Sequence, residues 1–161
     1  MTHASPVCAL ALVGMPGSGK SLCAAHLEQR GFFQFRFGGI VVAEVDRRGW
    51  PLTPENERIV REEFRATDGM AAIAQRALPT LRAALNERPS IIIDGLYSWS
   101  EYKFLQEQLD GEMIVVTIAA ERALRYGRLA NRAERPLTAE EARRRDWQEI
   151  EQIEKGGPIA M

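Results

Sequence analysis

Short apolar runs alternate along the chain with longer segments in which apolar residues recur every three or four positions. The apolar runs predict β-strands over about residues 7–13, 32–37, 90–94 and 112–118. The intervening segments predict helices over about residues 19–29, 40–48, 54–66, 70–86 and 98–109, with two more from about residues 122 and 138. Pro79 predicts a kink or a break within its helix. This alternation is typical of an α/β fold with a largely parallel sheet.

Local signals mark several ends of these elements. The first strand is apolar throughout, as expected of a central strand that is covered on both faces. Gly31 is a typical residue at the end of a helix. Thr53 is a candidate N-cap with Pro54 at the first helical position, and residues 138–141 form a capping box that begins a charged helix reaching to about residue 155.

The turn between the first strand and the first helix matches G-x-x-x-x-G-K-[ST], the phosphate-binding P-loop. Glycines let the backbone approach a ligand closely, and successive amides beside a helix N-terminus form an anion-binding concavity. We expect Lys20 to reach the β- and γ-phosphates and Ser21 to bind Mg²⁺. The predicted nucleotide-binding residues are Gly14, Pro16, Gly17, Ser18, Gly19, Lys20, Ser21 and Leu22.

The third strand, Ile91-Ile92-Ile93, ends in Asp94, which is the Walker B pattern. After a P-loop upstream, this aspartate is a candidate Mg²⁺ ligand together with Ser21, directly or through water. The alternative is a turn-forming aspartate, because Asp94-Gly95 is also a common turn dipeptide.

Five arginines follow the fourth strand at spacings of three, three, four and three, which places them on one face of a helix and its exit. Such a stripe could bind phosphates in the transition state, or it could be a solvated face. We assign Arg122 and Arg125 to a solvated face, and Arg128, Arg132 and Arg135 to a lid with a catalytic role. The run of residues 143–145 is interpreted as a solvated patch.

Composition narrows the function classes. The 161 residues carry 21 basic and 22 acidic side chains, a formal net charge of −1, so no global field favours nucleic acid or a membrane. The chain shows neither a signal-peptide pattern nor an apolar stretch near the ~20 residues that span a bilayer. The two cysteines, Cys8 and Cys23, lack the spacing of a metal site. We therefore expect one domain in a reducing, cytoplasmic location.

With these elements in place, the sequence resembles the P-loop nucleoside-monophosphate-kinase group, which includes adenylate kinase and dephospho-CoA kinase, and kinase-like proteins described as AAA-type ATPases. The matching pieces are residues 14–21, 47–56, 93–98 and the arginine-rich region through residue 158. The resemblance implies a three-layer α/β/α P-loop NTPase fold with strand order 2-3-1-4. It also implies a fifth strand, followed by a loop that holds the purine base of the nucleotide. The pattern of residues 156–161 does not predict such a strand. Residues 1–161 are read as one domain, with a substrate-side helical insertion over 38–87 and a lid over 122–138.

The sequence departs from this family on the acceptor side. Adenylate-kinase-like proteins have an arginine shortly after the Asp-Gly that follows strand three, whereas Leu96-Tyr97 stands here. Related kinases also place aspartate and arginine around the helix after strand two, whereas residues 38–43 are uncharged. The acceptor is therefore not assigned to the nucleoside monophosphates.

Three functions are compatible with these features. The first is a kinase that transfers the γ-phosphoryl group of Mg·ATP, or of GTP, to a small-molecule acceptor, with Lys20 and the lid arginines stabilising the charge. In that case Asp94, or a carboxylate such as Glu101, accepts the proton of the acceptor. The second is an NTPase or nucleotide switch, and the third is a domain that binds nucleotide without turnover. The first is preferred.

Overall fold

The computed structural model describes residues 7–133 and 136–151, with the backbone alone at Glu151. Strands and helices follow one another as the hydrophobic pattern predicts. The elements in chain order are β1 (Val7–Val13), α1 (Lys20–Glu28), β2 (Phe33–Arg36), α2 (Gly38–Arg47), α3 (Pro54–Asp68), α4 (Ala72–Glu87), β3 (Ile91–Asp94), α5 (Trp99–Gln108), β4 (Glu112–Thr117), α6 (Arg122–Asn131) and α7 (Ala139–Glu151).

The four strands of the described residues form one parallel sheet in the order β2-β3-β1-β4. This confirms the expected strand order. Asp94 is the register partner of Leu12 on β1 and of Arg36 on β2. Parallel strands end at the same edge of a sheet, so this edge gathers the P-loop, Asp94 and the end of β2. A ligand site is expected at this edge because carboxyl ends of parallel strands and helix N-termini meet there.

Both faces of the sheet are covered, which is why β1 and β3 are apolar on both sides. Ile91 and Ile93 belong to the larger core, which also contains buried residues of α2, α3, α4 and α5. Ile92, between them, points to the other face and packs with Leu12 and with Ala24 of α1. The period of two along a strand thus distributes one apolar run between two layers.

The helices show which local sequence signals correctly predicted where a helix begins, breaks or ends. The Thr53 hydroxyl accepts a hydrogen bond from the amide of Asn56 at 3.2 Å, which confirms the N-cap of α3. Of the kink or break predicted at Pro79, the break is excluded, since α4 continues through this residue with Ile73, Ala77 and Leu81 buried along one face. The predicted end of the last helix near residue 155, and the interpretation of residues 156–161, lie outside the described residues.

No helix in the described part of the chain is long and apolar enough to cross a lipid bilayer.

Candidate active site

The P-loop is packed so closely that two of its glycines have no room for a side chain. A Cβ at Gly14 would collide with the carbonyl oxygen of Ile118, after β4, and the residue has a φ of 144°. A Cβ at Gly17, where φ is 78°, would lie 2.7 Å from the carbonyl oxygen of Arg125 on α6. The loop is therefore shaped by neighbours from two later elements as well as by its own backbone preferences.

Lys20 is the first residue of α1 and its side chain turns back across the loop. Its Nζ donates hydrogen bonds to the carbonyl oxygens of Gly14 at 2.6 Å and Met15 at 3.2 Å. Burial lowers the pKa of Lys20. The charges of Asp94 and Glu149 oppose this shift, and the charge of Arg145 adds to it. Because the first amides of a helix lack intrahelical acceptors, the start of α1 and the Lys20 ammonium group together present hydrogen-bond donors suited to phosphate oxygens.

Ser21 and Asp94 meet although 73 residues separate them. The Ser21 hydroxyl lies 3.5 Å from Oδ2 of the buried Asp94. Gln34 donates to the same oxygen at 3.3 Å, and the Arg36 guanidinium lies 3.8 Å from it. Magnesium usually takes one or two protein oxygens and completes its shell with phosphates and water, and this pair of oxygens fits that requirement. In the described part of the chain no three His, Cys, Asp or Glu side chains gather as a metal cluster.

Arg125 is buried, so its assignment to a solvated face is wrong. It is only 6% exposed, and its guanidinium donates to both carboxylate oxygens of Asp146 on α7, at 2.9 and 2.5 Å. It also donates to the carbonyl oxygen of Pro16 in the P-loop at 3.1 Å. The hydrogen bonds that Arg125 donates to Asp146 raise the pKa of Arg125. The sequence spacing could not identify this arginine as buried, because its partner comes from a helix that begins later in the chain.

Of the three predicted lid arginines, Arg128 contacts the P-loop. Its Nη1 donates to the carbonyl oxygens of Ser18 at 2.9 Å and Gly17 at 3.3 Å. Arg132 is half-buried at the C-terminal cap of α6. Arg135 lies outside the described residues. The structure therefore brings the Arg128 side chain to the loop.

Helix α7 adds two charged residues to the site that the sequence analysis missed. Arg145 and Glu149 are close enough to Lys20 to shift its pKa, so the arginine run contributes to the site although Arg145 itself is exposed. Glu149 Oε1 accepts a hydrogen bond of 2.5 Å from the hydroxyl of Tyr97, the residue that stands three positions after Asp94. Burial, followed by the charge of Glu149, raises the pKa of Tyr97 to about 12, so the phenol stays protonated. The four-residue spacing of Arg145 and Glu149 was the available signal for a shared helix face.

Helix α3 carries a partly buried arginine, Arg61, which lies outside the uncharged segment of residues 38–43. Burial lowers the pKa of Arg61, and Tyr97 in its ionised form, like the carboxylate of Glu57, opposes that shift. Arg61 also lies 3.8 Å from the carboxylate of Glu57, one turn earlier in α3. Arg36, at the end of β2, is a cationic side chain that lies near Asp94, and it also stands outside residues 38–43.

Glu101 cannot serve as the proton acceptor that the sequence analysis considered. Its side chain is fully buried, and Oε2 accepts hydrogen bonds from the amides of Tyr97 at 2.8 Å and Ser98 at 3.0 Å. The Ser98 hydroxyl in turn accepts from the amide of Glu101 at 3.1 Å, which completes a capping box at the start of α5. A carboxylate enclosed in this way has no access to a substrate.

Comparison with known proteins places this arrangement in a family. Residues 10–149 match the family model described as an AAA domain. A UPF0200 protein of Thermococcus gammatolerans is 37% identical over 153 residues, which are 93% of this chain and 80% of the relative. A UPF0200 protein of Pyrobaculum aerophilum is 33% identical over 143 residues, covering 88% of this chain and 76% of the relative.

Solved kinases have a similar fold at low identity. A gluconokinase from Sinorhizobium meliloti gives a TM-score of 0.51 at 17% identity, over 90% of this chain and 75% of that one. A sugar kinase from a Janibacter species gives 0.53 at 17% identity, over 88% and 77%. These likenesses confirm the P-loop kinase-like fold. The chain belongs to the UPF0200 family of AAA-domain proteins.

Proposed function

We propose that this protein binds Mg²⁺ and a nucleoside triphosphate, ATP or GTP, at the P-loop and transfers the γ-phosphoryl group to a small-molecule acceptor. The observation that carries this proposal is the meeting of Ser21 with Asp94 at 3.5 Å beside Lys20. A hydroxyl, a carboxylate and an ammonium group at the start of a helix are the parts that bind Mg²⁺ and phosphates in P-loop enzymes.

Each part has a defined role in this proposal. Ser21 and Asp94 hold the metal ion, and Lys20 leaves its loop carbonyls to bind the β- and γ-phosphates. The bond between the γ-phosphorus and its bridging oxygen breaks, a bond to an acceptor oxygen forms, and the nucleoside diphosphate leaves. Where the acceptor is a hydroxyl, its proton passes to Asp94. Arg128, with Arg132 and Arg135 from the same region, stabilises charge on the transferred group.

The acceptor is assigned to the side of the sheet where residues 38–87 lie. Arg36 stands at the end of β2 with 69% of its side chain exposed, and the partly buried Arg61 lies on α3 within this segment. Residues 122–138 are assigned to a lid because α6 already touches the P-loop through Arg128. Closure of such a lid would exclude water and favour transfer over hydrolysis.

The fate of the γ-phosphate tests this function. The protein is incubated with nucleoside triphosphate labelled at the γ-phosphate, Mg²⁺, and a metabolite extract before or after dialysis. We expect label in a new organic phosphate only when small metabolites are present, with loss of this product in Lys20→Ala and Asp94→Asn. Lys103→Ala is the matched control, because Lys103 is exposed on α5.

Two results contradict the proposal. Label that reaches only free phosphate, at a rate independent of the extract, identifies a hydrolase or switch. Binding of nucleotide without any consumption identifies a domain that binds without turnover.

A further inference from the structure

Glu101 is a buried acidic side chain that the proposed chemistry does not use. It is 0% exposed, and one of its oxygens, Oε2, accepts the amides of both Tyr97 and Ser98. The other oxygen, Oε1, is buried and has no hydrogen-bond partner among the described residues. An unpaired oxygen on a buried charge is costly, so the carboxylate requires an explanation.

A capping role alone does not require a carboxylate. Glutamine serves equally at this position of a capping box, because its amide oxygen accepts the same backbone hydrogen bonds. Glutamine would also avoid the cost of burying a negative charge. What the carboxylate adds is strength, because hydrogen bonds to an ionised acceptor are shorter and stronger than those to a neutral one.

The backbone that Glu101 holds connects the metal-site aspartate to α7. On one side of this segment, the Gly95 amide donates to the carbonyl oxygen of Leu12 at 3.2 Å, which ties it to β1. Leu96 is 1% exposed and anchors the segment in the core. Tyr97 follows, with its amide on Glu101 and its hydroxyl on Glu149. The segment is thus fixed at the sheet, at Glu101 and at α7.

We propose that Glu101 is a positioning residue whose carboxylate, by binding the amides of Tyr97 and Ser98, holds the Tyr97 hydroxyl on Glu149 and so aligns α7 with Lys20. The kinetic consequence of this role for Glu101 rests on the proposed phosphoryl transfer. Glu101 touches neither nucleotide nor acceptor in this scheme. It acts through Tyr97, whose contact with Glu149 spans 52 residues of sequence.

The surroundings of Glu101 give this role a characteristic pH dependence. Burial raises the pKa of Glu101 to about 7, against the opposing effects of the Tyr97 and Ser98 amides and the charge of Arg65 on α3. Arg65 also has a buried Nε without a partner among the described residues. With this pKa, the ionised fraction rises from about one-tenth at pH 6 to about nine-tenths at pH 8. The alignment therefore strengthens over this interval.

The direct test follows the amides themselves. In the nucleotide-free full chain, we expect the ¹⁵N–¹H resonances of Tyr97 and Ser98 and the ring resonances of Tyr97 to titrate together near pH 7. Glu101→Gln should remove this transition and keep the fold, and Glu107→Gln, on the exposed part of α5, should leave it in place. Amides that titrate only near the ordinary pKa of glutamate, or a Tyr97 ring that does not follow them, would overturn the proposal. This measurement needs no turnover, so its result is separate from that of the phosphoryl-transfer assay.

The kinetic test separates positioning from simple stability. Between pH 6 and pH 8, kcat should rise up to about ninefold in the parent protein, in step with the ionised fraction of Glu101. This rise should be absent in Glu101→Gln and in Tyr97→Phe, while KM for the nucleotide changes less than twofold in either variant. An unchanged pH profile in Glu101→Gln would reduce Glu101 to a structural cap.

Discussion

The P-loop and the α7 face of the site, formed by Arg145, Asp146 and Glu149, are held in different ways. The P-loop is specified by consecutive residues, and the hydrogen bonds of Lys20 reach five and six positions back, although α6 and the residue after β4 also pack against the loop. The α7 face depends on pairs that are far apart, with 21 residues between Arg125 and Asp146 and 52 between Tyr97 and Glu149. A site can thus combine a part that a short motif specifies with a part that exists only after distant helices pack together.

The largest expected effect concerns the ion pair that joins α6 to α7. Arg125→Ala removes the cationic partner of the buried Asp146, which keeps the hydrogen bond from the Tyr126 hydroxyl, and such a loss typically costs about 3–5 kcal/mol of the free energy of unfolding. Urea denaturation measures this loss. Arg122→Ala on the exposed side of α6 should change the free energy by less than about 0.5 kcal/mol. If both variants lose equally little, the α7 face does not depend on this pair.

The next largest effect is a pH-dependent increase in the free energy of unfolding of Glu101→Gln. The pKa of Glu101 rises from 4.5 to about 7 on folding, so the folded state binds the proton more tightly. Stability of the parent protein therefore falls as pH rises from about 4.5 to about 7, and the cost persists above that. Glu101→Gln should remove this dependence of stability on pH. At pH 8 its free energy of unfolding, measured by urea denaturation, should exceed that of the parent protein by up to about 3 kcal/mol. Equal slopes in the parent and the variant would contradict the assigned ionisation.

The contact between α6 and the P-loop should have a somewhat smaller effect, which is expected in the rate of phosphoryl transfer. Arg128→Ala should lower kcat for the proposed phosphoryl transfer by about 100-fold, the loss that follows removal of one donor to a developing charge. Arg122→Ala is again the matched control, because it removes a guanidinium from the same helix without a loop contact in the described structure. Equal turnover in the two variants would exclude a role for Arg128 at the transferred group.

The smallest effect tests a purely local feature. Thr53→Ala removes the side-chain acceptor for the Asn56 amide and should cost about 1 kcal/mol of the free energy of unfolding. Thr67→Ala in the same helix is the control, since the Thr67 hydroxyl only adds a bond to the Glu63 carbonyl. A smaller loss for Thr53 than for Thr67 would show that the cap does not stabilise α3.

The same division explains how much the sequence could predict. Strands, helices and the sheet order followed from apolar periodicity and the P-loop resemblance, because these depend on local spacing and a repeated topology. The pairing of Ser21 with Asp94 was also predictable, since each ends or follows a strand at the same edge. Arg125 was assigned to solvent because a spacing of three or four does not show which face of a helix is covered. Glu149 carried no motif, and its role depends on a tyrosine from another element.

Every pairing in the sheet joins segments that are far apart in the chain, and this has a consequence for how the protein is made. Leu12 finds its neighbour Asp94 only after 82 more residues have been added, and Val13 pairs with Thr117 still later. During synthesis the P-loop therefore leaves the ribosome long before β3, β4, α6 and α7, which later pack around it. Contacts of such sequence separation form slowly because the intervening chain must be ordered first. We expect the nucleotide pocket to be among the last parts of this chain to mature.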